Sequence, residues 1–163
     1  MSTPAISTVA IGKKVPDWEL WATGGKTVRL SDLRGKYVVV YFYPRDNTPG
    51  CTQEGENFND LHVQFRKLGA VILGISRDSV RSHTGFRSRM AFTFDLLSDE
   101  AETVCKLFDV MKLKNMYGQL VIGVERSTFL IDADGVLRNE WRKVQVVGHA
   151  QAVLDALKAL CAT

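Results

Sequence analysis

Apolar residues recur along this chain with two different periods. Residues 37–43, YVVVYFY, form an unbroken run of β-branched and aromatic side chains, the pattern of a strand covered on both faces. Residues 70–75 repeat that pattern, and 94–97 offer a shorter third strand. Between the first two runs, Phe58, Leu61, Phe65 and Leu68 fall at helical spacing over residues 52–68, and Gly69 closes the segment. A polar-faced helix is predicted over 79–91, and Asp99 with Glu102 reads as a capping box opening a helix through Phe108. Gly24 and Gly25 centre a hairpin over residues 20–30, and Ser31, Asp32 and Leu33 form a helical turn ending at Gly35. Near the C-terminus, STFLID (127–132), the Asp134-Gly135 turn and VLRNEWRKV read as a second hairpin, followed by a helix from His149 to Leu160. Strands first alternate with helices, and then a hairpin and a helix follow. The expected class is α/β, a central mixed β-sheet flanked by helices with an N-terminal β-hairpin. Residues 1–163 are expected to form one domain, with residues 1–10 a frayed or docked lead-in.

Composition changes this picture little. Apolar residues make up 45% and charged residues 24%, ordinary for a globular chain, and the net charge of +3 is spread rather than clustered. Neither a nucleic-acid nor a membrane partner is expected from that distribution. The first ten residues lack the basic and apolar regions of a secretory signal, and no apolar stretch has the length of a membrane span. Cys51, Cys105 and Cys161 match neither a disulfide framework nor a zinc site, so a reducing cytoplasm is the expected compartment. No heme, flavin or metal motif is present, and neither cofactor nor metal is expected.

One cysteine stands in an unusual place. The strand run ends at Pro44, turns through Thr48-Pro49-Gly50 and delivers Cys51 to a helix start. There the sulfur faces unpaired backbone N–H groups and the positive end of the helix dipole, and both favour thiolate over thiol. Its neighbours Gly50, Thr52, Gln53 and Glu54 form no apolar stripe, so the ordinary role of a free cysteine as a small hydrophobe does not fit. Thr48 places a hydroxyl three residues earlier, able to hydrogen-bond a sulfur or a bound oxygen.

The segment PRDNTPGC, residues 44–51, resembles the P-x-x-x-S/T-x-x-C signature of peroxiredoxins. With GKKVPDWEL, LSDLRGKYVVVYFYP, VILGISRDS, LLSD and ERSTFLIDADG in order over residues 12–160, the chain is similar to their bacterioferritin-comigratory or Q-type branch. That resemblance implies a thioredoxin-like fold and a thiol-dependent peroxidase acting on hydrogen peroxide and organic hydroperoxides. It implies that Cys51 is the nucleophile that becomes a sulfenic acid, that Thr48 orients the peroxide and that Pro44 walls off water. Arg126 would sit over sulfur and peroxide, with Gly50 beside them and Glu54 holding the arginine. A monomer is the expected state by the same resemblance.

The chain departs from that branch where the sulfenic acid must be resolved. Glu56 occupies the position five residues after the nucleophile, and residues 79–90 carry no cysteine. The expected mechanism uses one cysteine and an external thiol, from thioredoxin or from glutathione with glutaredoxin. Resolution by Cys161 or Cys105 is the alternative, although Cys105 shares an apolar helical stripe with Ala101, Val104 and Phe108. A redox sensor or holdase is the competing function. A disulfide reductase is disfavoured because Thr-Gln-Glu, not a second cysteine, follows Cys51. His62 is expected to be packed, His83 and His149 have no evident partner, and Trp18, Trp21 and Trp141 are core or rim aromatics, one of which could line the peroxide pocket.

Overall fold

The fold was read from a computed structural model that describes residues 8–162. The expectation for the lead-in falls largely on residues 1–7, outside that range. Val9 packs on the core and donates its amide to the Leu107 carbonyl, so the end of the lead-in is docked.

β1 (Glu19–Ala22) and β2 (Lys26–Arg29) make the expected hairpin, followed by a 3-10 turn over Leu30–Leu33. β3 (Tyr37–Phe42) leads into α1 (Pro49–Lys67), β4 (Ala70–Ser76), α2 (Val80–Met90) and β5 (Asp95–Ser98). α3 (Thr103–Leu107), β6 (Met111–Met116), β7 (Gln119–Val124), β8 (Ser127–Ile131), β9 (Leu137–Trp141) and α4 (His149–Cys161) complete the described chain. Seven strands form one sheet in the order β2-β1-β5-β4-β3-β8-β9, in which β3, β4 and β5 run parallel and the remaining pairings are antiparallel. Parallel neighbours need a crossover, and α1 and α2 supply it. This is the expected mixed α/β architecture.

β3 is central because both of its faces are apolar. Val38, Val40 and Phe42 enter one core layer with Trp18, Leu30, Val104, Cys105 and Phe108. Val39, Tyr41 and Tyr43 enter the other, against Phe58 and Phe65 of α1, Phe86 of α2 and Val153, Leu154 and Leu157 of α4. Side chains alternate along a strand, so these layers lie on opposite faces of the sheet. Cys51 belongs to the second layer and Cys105 to the first.

Two local expectations need correction. The helix read from Asp99 begins four residues later, at Thr103, and the capping box is not made. The Asp99 carboxylate instead accepts the amides of Val104 and Cys105, at 3.3 and 2.7 Å. Glu102 sits in the left-handed region (φ 64°) and turns its carboxylate to Arg77, so the reciprocal half of the box is missing. The second correction is the β6–β7 hairpin, for which the sequence reading assigned no structure.

Candidate active site

The site is built where two adjacent strands end on the same side of the sheet. β3 leaves that edge to enter α1, while antiparallel β8 starts there, with Ser127 paired to Phe42. The residue just before β8, Arg126, therefore falls beside the first turn of the helix that follows β3. Thr48 is the N-cap of α1 and Pro49 its first residue, a position where the missing N–H costs nothing. The first intrahelical bond runs from the Thr52 amide to the Thr48 carbonyl, so the amides of Gly50 and Cys51 precede it and point toward the site.

Arg126 bridges two residues of the first turns of α1. Its Nη2 donates to Cys51 Sγ at 3.4 Å, and its Nη1 donates to Glu54 Oε1 at 2.6 Å. Cys51 and Glu54 lie three residues apart on α1, which puts both on one helix face under the same guanidinium. Gly50 eases the approach, since a Cβ there would stand 3.1 Å from Arg126 Nη2, a tight contact to which the guanidinium would have to yield. Cys51 is only 1% exposed, and Pro44, Thr48 and Gly50 in the loop before it are half-buried.

Thr48 departs from its expected contact. Its hydroxyl donates to the Arg45 carbonyl at 2.9 Å rather than to the sulfur, which leaves its oxygen lone pairs as acceptors.

The charges around this pair differ in cost. Burial pushes the Glu54 carboxyl up to about 7, against the pull of Arg126, and its Oε2 finds no partner among the described residues. For Arg126, burial works against the cation, but Glu54 and Cys51 outweigh it and hold the guanidinium above its ordinary value. His149, at the start of α4, is held down to about 4 by burial and by Arg126. It is therefore neutral at pH 7, and its Nε2 lies 2.7 Å from Thr128 Oγ1. Trp141 stacks edgewise on His149, at the rim and not on the sulfur. Trp18 is core and Trp21 is exposed. His62 is packed against Phe94 and Thr93, as expected.

The sequence reading missed the tie that holds the loop. Asp46, in the middle of the segment from Pro44 to Cys51, faces His83 of α2 at 2.8 Å, and neither side chain is more than 1% exposed. Tyr43 and Ser82 hydroxyls donate to the same carboxylate, and the Asp46 amide donates to Asp78. The other nitrogen of His83 meets the Leu97 carbonyl at 2.9 Å. Partners at both nitrogens fix the orientation of the ring. Asp46, Asp78 and His83 bring ligand-type atoms within 4.8 Å of one another, yet these hydrogen bonds already occupy them. Partners 37 residues apart leave no local signal, although an acid inside the cysteine loop was visible.

The remaining thiols lie elsewhere. Cys105 is fully buried across the sheet from Cys51, and burial followed by nearby Asp99 pushes its thiol far up. Cys161 is exposed, with its sulfur 4.0 Å from the Leu68 carbonyl at the far end of α1. Seventeen residues of helix separate Leu68 from Cys51, about 25 Å. A disulfide needs Cα atoms within about 7 Å.

Comparison with known proteins shows the family. Residues 11–140 match the AhpC/TSA family. Peroxiredoxin Bcp of Xanthomonas campestris is 54% identical over 143 residues, covering 88% of this chain and 89% of that protein. Peroxiredoxin Bcp of Bacillus subtilis is 50% identical, covering 93% and 96%. Among solved structures, the Xanthomonas campestris bacterioferritin comigratory protein, studied for alkyl peroxide reduction, superposes with TM-score 0.85 at 52% identity, over 88% of this chain and 92% of that one. A cysteine-to-serine variant of Xylella fastidiosa PrxQ reaches 0.89 at 46% identity, over 94% and 98%. A match over most of the chain, at half the residues identical and with the same fold, places this protein in the AhpC/TSA family, as a peroxiredoxin of the Bcp or Q type and a thiol-dependent peroxidase.

Proposed function

We propose that Cys51 is the peroxidatic nucleophile and that this chain works as a one-cysteine peroxidase on hydrogen peroxide and alkyl hydroperoxides. The observation that carries this reading is the Arg126 guanidinium held 3.4 Å from the Cys51 sulfur by a buried carboxylate. The thiolate attacks one peroxide oxygen in line with the O–O bond. The S–O bond forms as the O–O bond breaks, and the leaving oxygen departs with the electron pair as hydroxide or alkoxide and takes a proton from water. Cys51 is left as a sulfenic acid.

Thiolate formation supplies only part of the acceleration. Lowering any thiol pKa from about 8.5 to about 6 raises its thiolate fraction at pH 7 about thirtyfold, or ~2 kcal/mol. The less basic thiolate is also a weaker nucleophile, which removes part of that gain. The remainder falls to groups that meet charge on the leaving oxygen: Arg126 and the amides of Gly50 and Cys51. The Thr48 oxygen accepts the peroxide O–H and orients it, and Pro44 limits water at the sulfur.

An external thiol then attacks the sulfenic sulfur, releasing water, and a second thiol frees Cys51. Thioredoxin, or glutathione with glutaredoxin, is the donor class. The separation of Cys51 from Cys105 and Cys161 supports this over internal resolution, and the chain then acts as a single-domain monomer in a reducing compartment such as the cytoplasm. The test is peroxide consumption with excess dithiothreitol, beside mass spectrometry after one equivalent of peroxide. Wild type turns over, Cys51→Ser does not, and no intramolecular Cys51 disulfide forms. A protein that oxidises once and stalls is a sensor, and a Cys51–Cys161 or Cys51–Cys105 disulfide refutes the one-cysteine mechanism.

A further inference from the structure

Cys51 follows the C-terminal end of β3, and a notch in the sheet lies at the other end of the parallel strands. β5 begins at Asp95, opposite Leu73, so Ala70, Val71 and Ile72 of β4 pair with β3 on one side and with no strand on the other. The Gly69 carbonyl takes the Tyr37 amide and the Ser76 carbonyl takes the Asp99 amide, so even-numbered residues of β4 turn their backbone groups to the β5 side. The amides of Ala70 and Ile72 therefore face the notch. A cavity of about 350 Å³ occupies it, within the size range of small-ligand sites. Its walls carry Lys36, His62, Arg66 and Asp95 beside apolar Leu73 and Phe94.

The charges of those walls do not balance. Asp95 is already engaged: the Thr23 hydroxyl and the Lys26 ammonium each stand 2.9 Å from its carboxylate, with Arg87 at 3.9 Å. Lys36 and Arg66 have no ion-pair partner among the described residues. His62, only 6% exposed, places Nδ1 at 2.5 Å from Thr93 Oγ1. The Thr93 hydroxyl gives its one proton to Asn59 Oδ1 at 3.0 Å, and Asn59 is oriented by its own nitrogen donating to the Ala91 carbonyl. Thr93 is left to accept from His62, so Nδ1 carries the ring proton. Burial, then the nearby Arg66 charge, hold His62 below its ordinary value, so the ring is neutral at pH 7 and Nε2 is a bare lone pair. That nitrogen has no partner among the described residues and is not sealed from the cavity its ring lines.

We propose that this cavity binds a phosphate monoester carrying an apolar substituent. Two unpaired cations and two amides call for negative charge, while the Nε2 lone pair repels a bare oxyanion and calls for a proton. A phosphate monoester, whose second pKa is about 6, presents both on one group: a P–OH for Nε2 and charged oxygens for Arg66 and Lys36. A carboxylate brings the charge without the proton, and an alcohol brings the proton without the charge. Leu73 and Phe94 then receive the organic part of the ester. His62 stands eleven residues after Cys51 on α1, about 16 Å along the helix, so the site shares no group with the cysteine corner. It does not depend on the Cys51 reading above.

The test is isothermal titration calorimetry of the full chain at pH 7 with phenyl phosphate, inorganic phosphate and benzoate. Phenyl phosphate is expected to bind on the order of tenfold more tightly than either of the others, since inorganic phosphate lacks the apolar part and benzoate lacks the proton. Arg66→Ala should weaken phenyl phosphate about tenfold. His62→Phe, which keeps an aromatic ring beside Phe94, should remove the preference for phenyl phosphate over benzoate. Thermal unfolding without ligand checks that each variant folds, and Arg66→Ala, at an exposed side chain, carries the test if His62→Phe does not. Cys51→Ser should bind like wild type, whatever becomes of the peroxidase reading. The proposal is overturned if wild type shows no binding at millimolar phenyl phosphate, or if benzoate or inorganic phosphate binds as tightly. It is also overturned if folded Arg66→Ala titrates like wild type.

Discussion

Residues 111–126 hold two opposite solutions within one stretch of chain. At one end Arg126 is tied to a buried carboxylate and a buried sulfur, and the cysteine loop beside it is anchored through Asp46 to His83. At the other end the β6–β7 hairpin leaves Leu113, Leu120 and Ile122 in solvent. The difference follows from what each region must do. Meeting charge on a leaving oxygen requires donors already in place, so the corner accepts the cost of burying charges to hold them still. The hairpin strands bond to each other outside the main sheet, so its outer side chains are left without such ties.

The contrast predicts a graded series of effects. Arg126→Ala should lower the rate of peroxide reduction about 10²- to 10³-fold, as loss of a preorganised donor does elsewhere, measured as peroxide consumption under saturating thiol. His83→Ala leaves the Asp46 carboxylate buried without its imidazole partner and should cost about 3–5 kcal/mol in urea unfolding. Adding Asp46→Asn should recover a large part of that loss. If it does not, the loss is one of packing and not of the carboxylate's partner. Glu54 sets a dependence on pH. Its folded value of about 7 lies above its ordinary 4.5, so the native state keeps a proton that the unfolded chain gives up. Its contribution to stability is present below about pH 4.5 and is lost as pH rises through 7, about 3 kcal/mol in all. Glu54→Gln should flatten that part of the stability profile in chemical denaturation between pH 4.5 and 8. Leu113→Ser in the hairpin should change unfolding stability by less than about 0.5 kcal/mol, because the side chain is already in water. A larger loss would mean that the hairpin is held to the core after all.

The same two regions show what could be read from the sequence. The cysteine corner was legible because its chemistry is local: a strand run, a turn through Pro49 and Gly50, and a sulfur in the first helical turn. Arg126 was reached only through resemblance, since its closeness to Cys51 depends on the pairing of β3 with β8. The tie between Asp46 and His83 depends on the packing of α2 and leaves no periodic trace. Asp99 and Glu102 had the right spacing for a capping box, but Arg77 competes for the second carboxylate. The hairpin escaped notice because its two-residue turn is Tyr117-Gly118, both at positive φ. Such turns are usually announced by Asn-Gly or Asp-Gly. Here the Asn115 side chain closes the turn onto the Gly118 amide instead.

The central claim is that Arg126 stabilises the parting oxygen and does more than hold the sulfur ionised. The direct measurement is the stopped-flow rate of Cys51 oxidation by hydrogen peroxide, followed with pH in wild type and Arg126→Ala until thiolate absorbance is saturated in both. On this account the variant stays at least about a hundredfold slower on that plateau. Rates that converge once both sulfurs are fully ionised would contradict it.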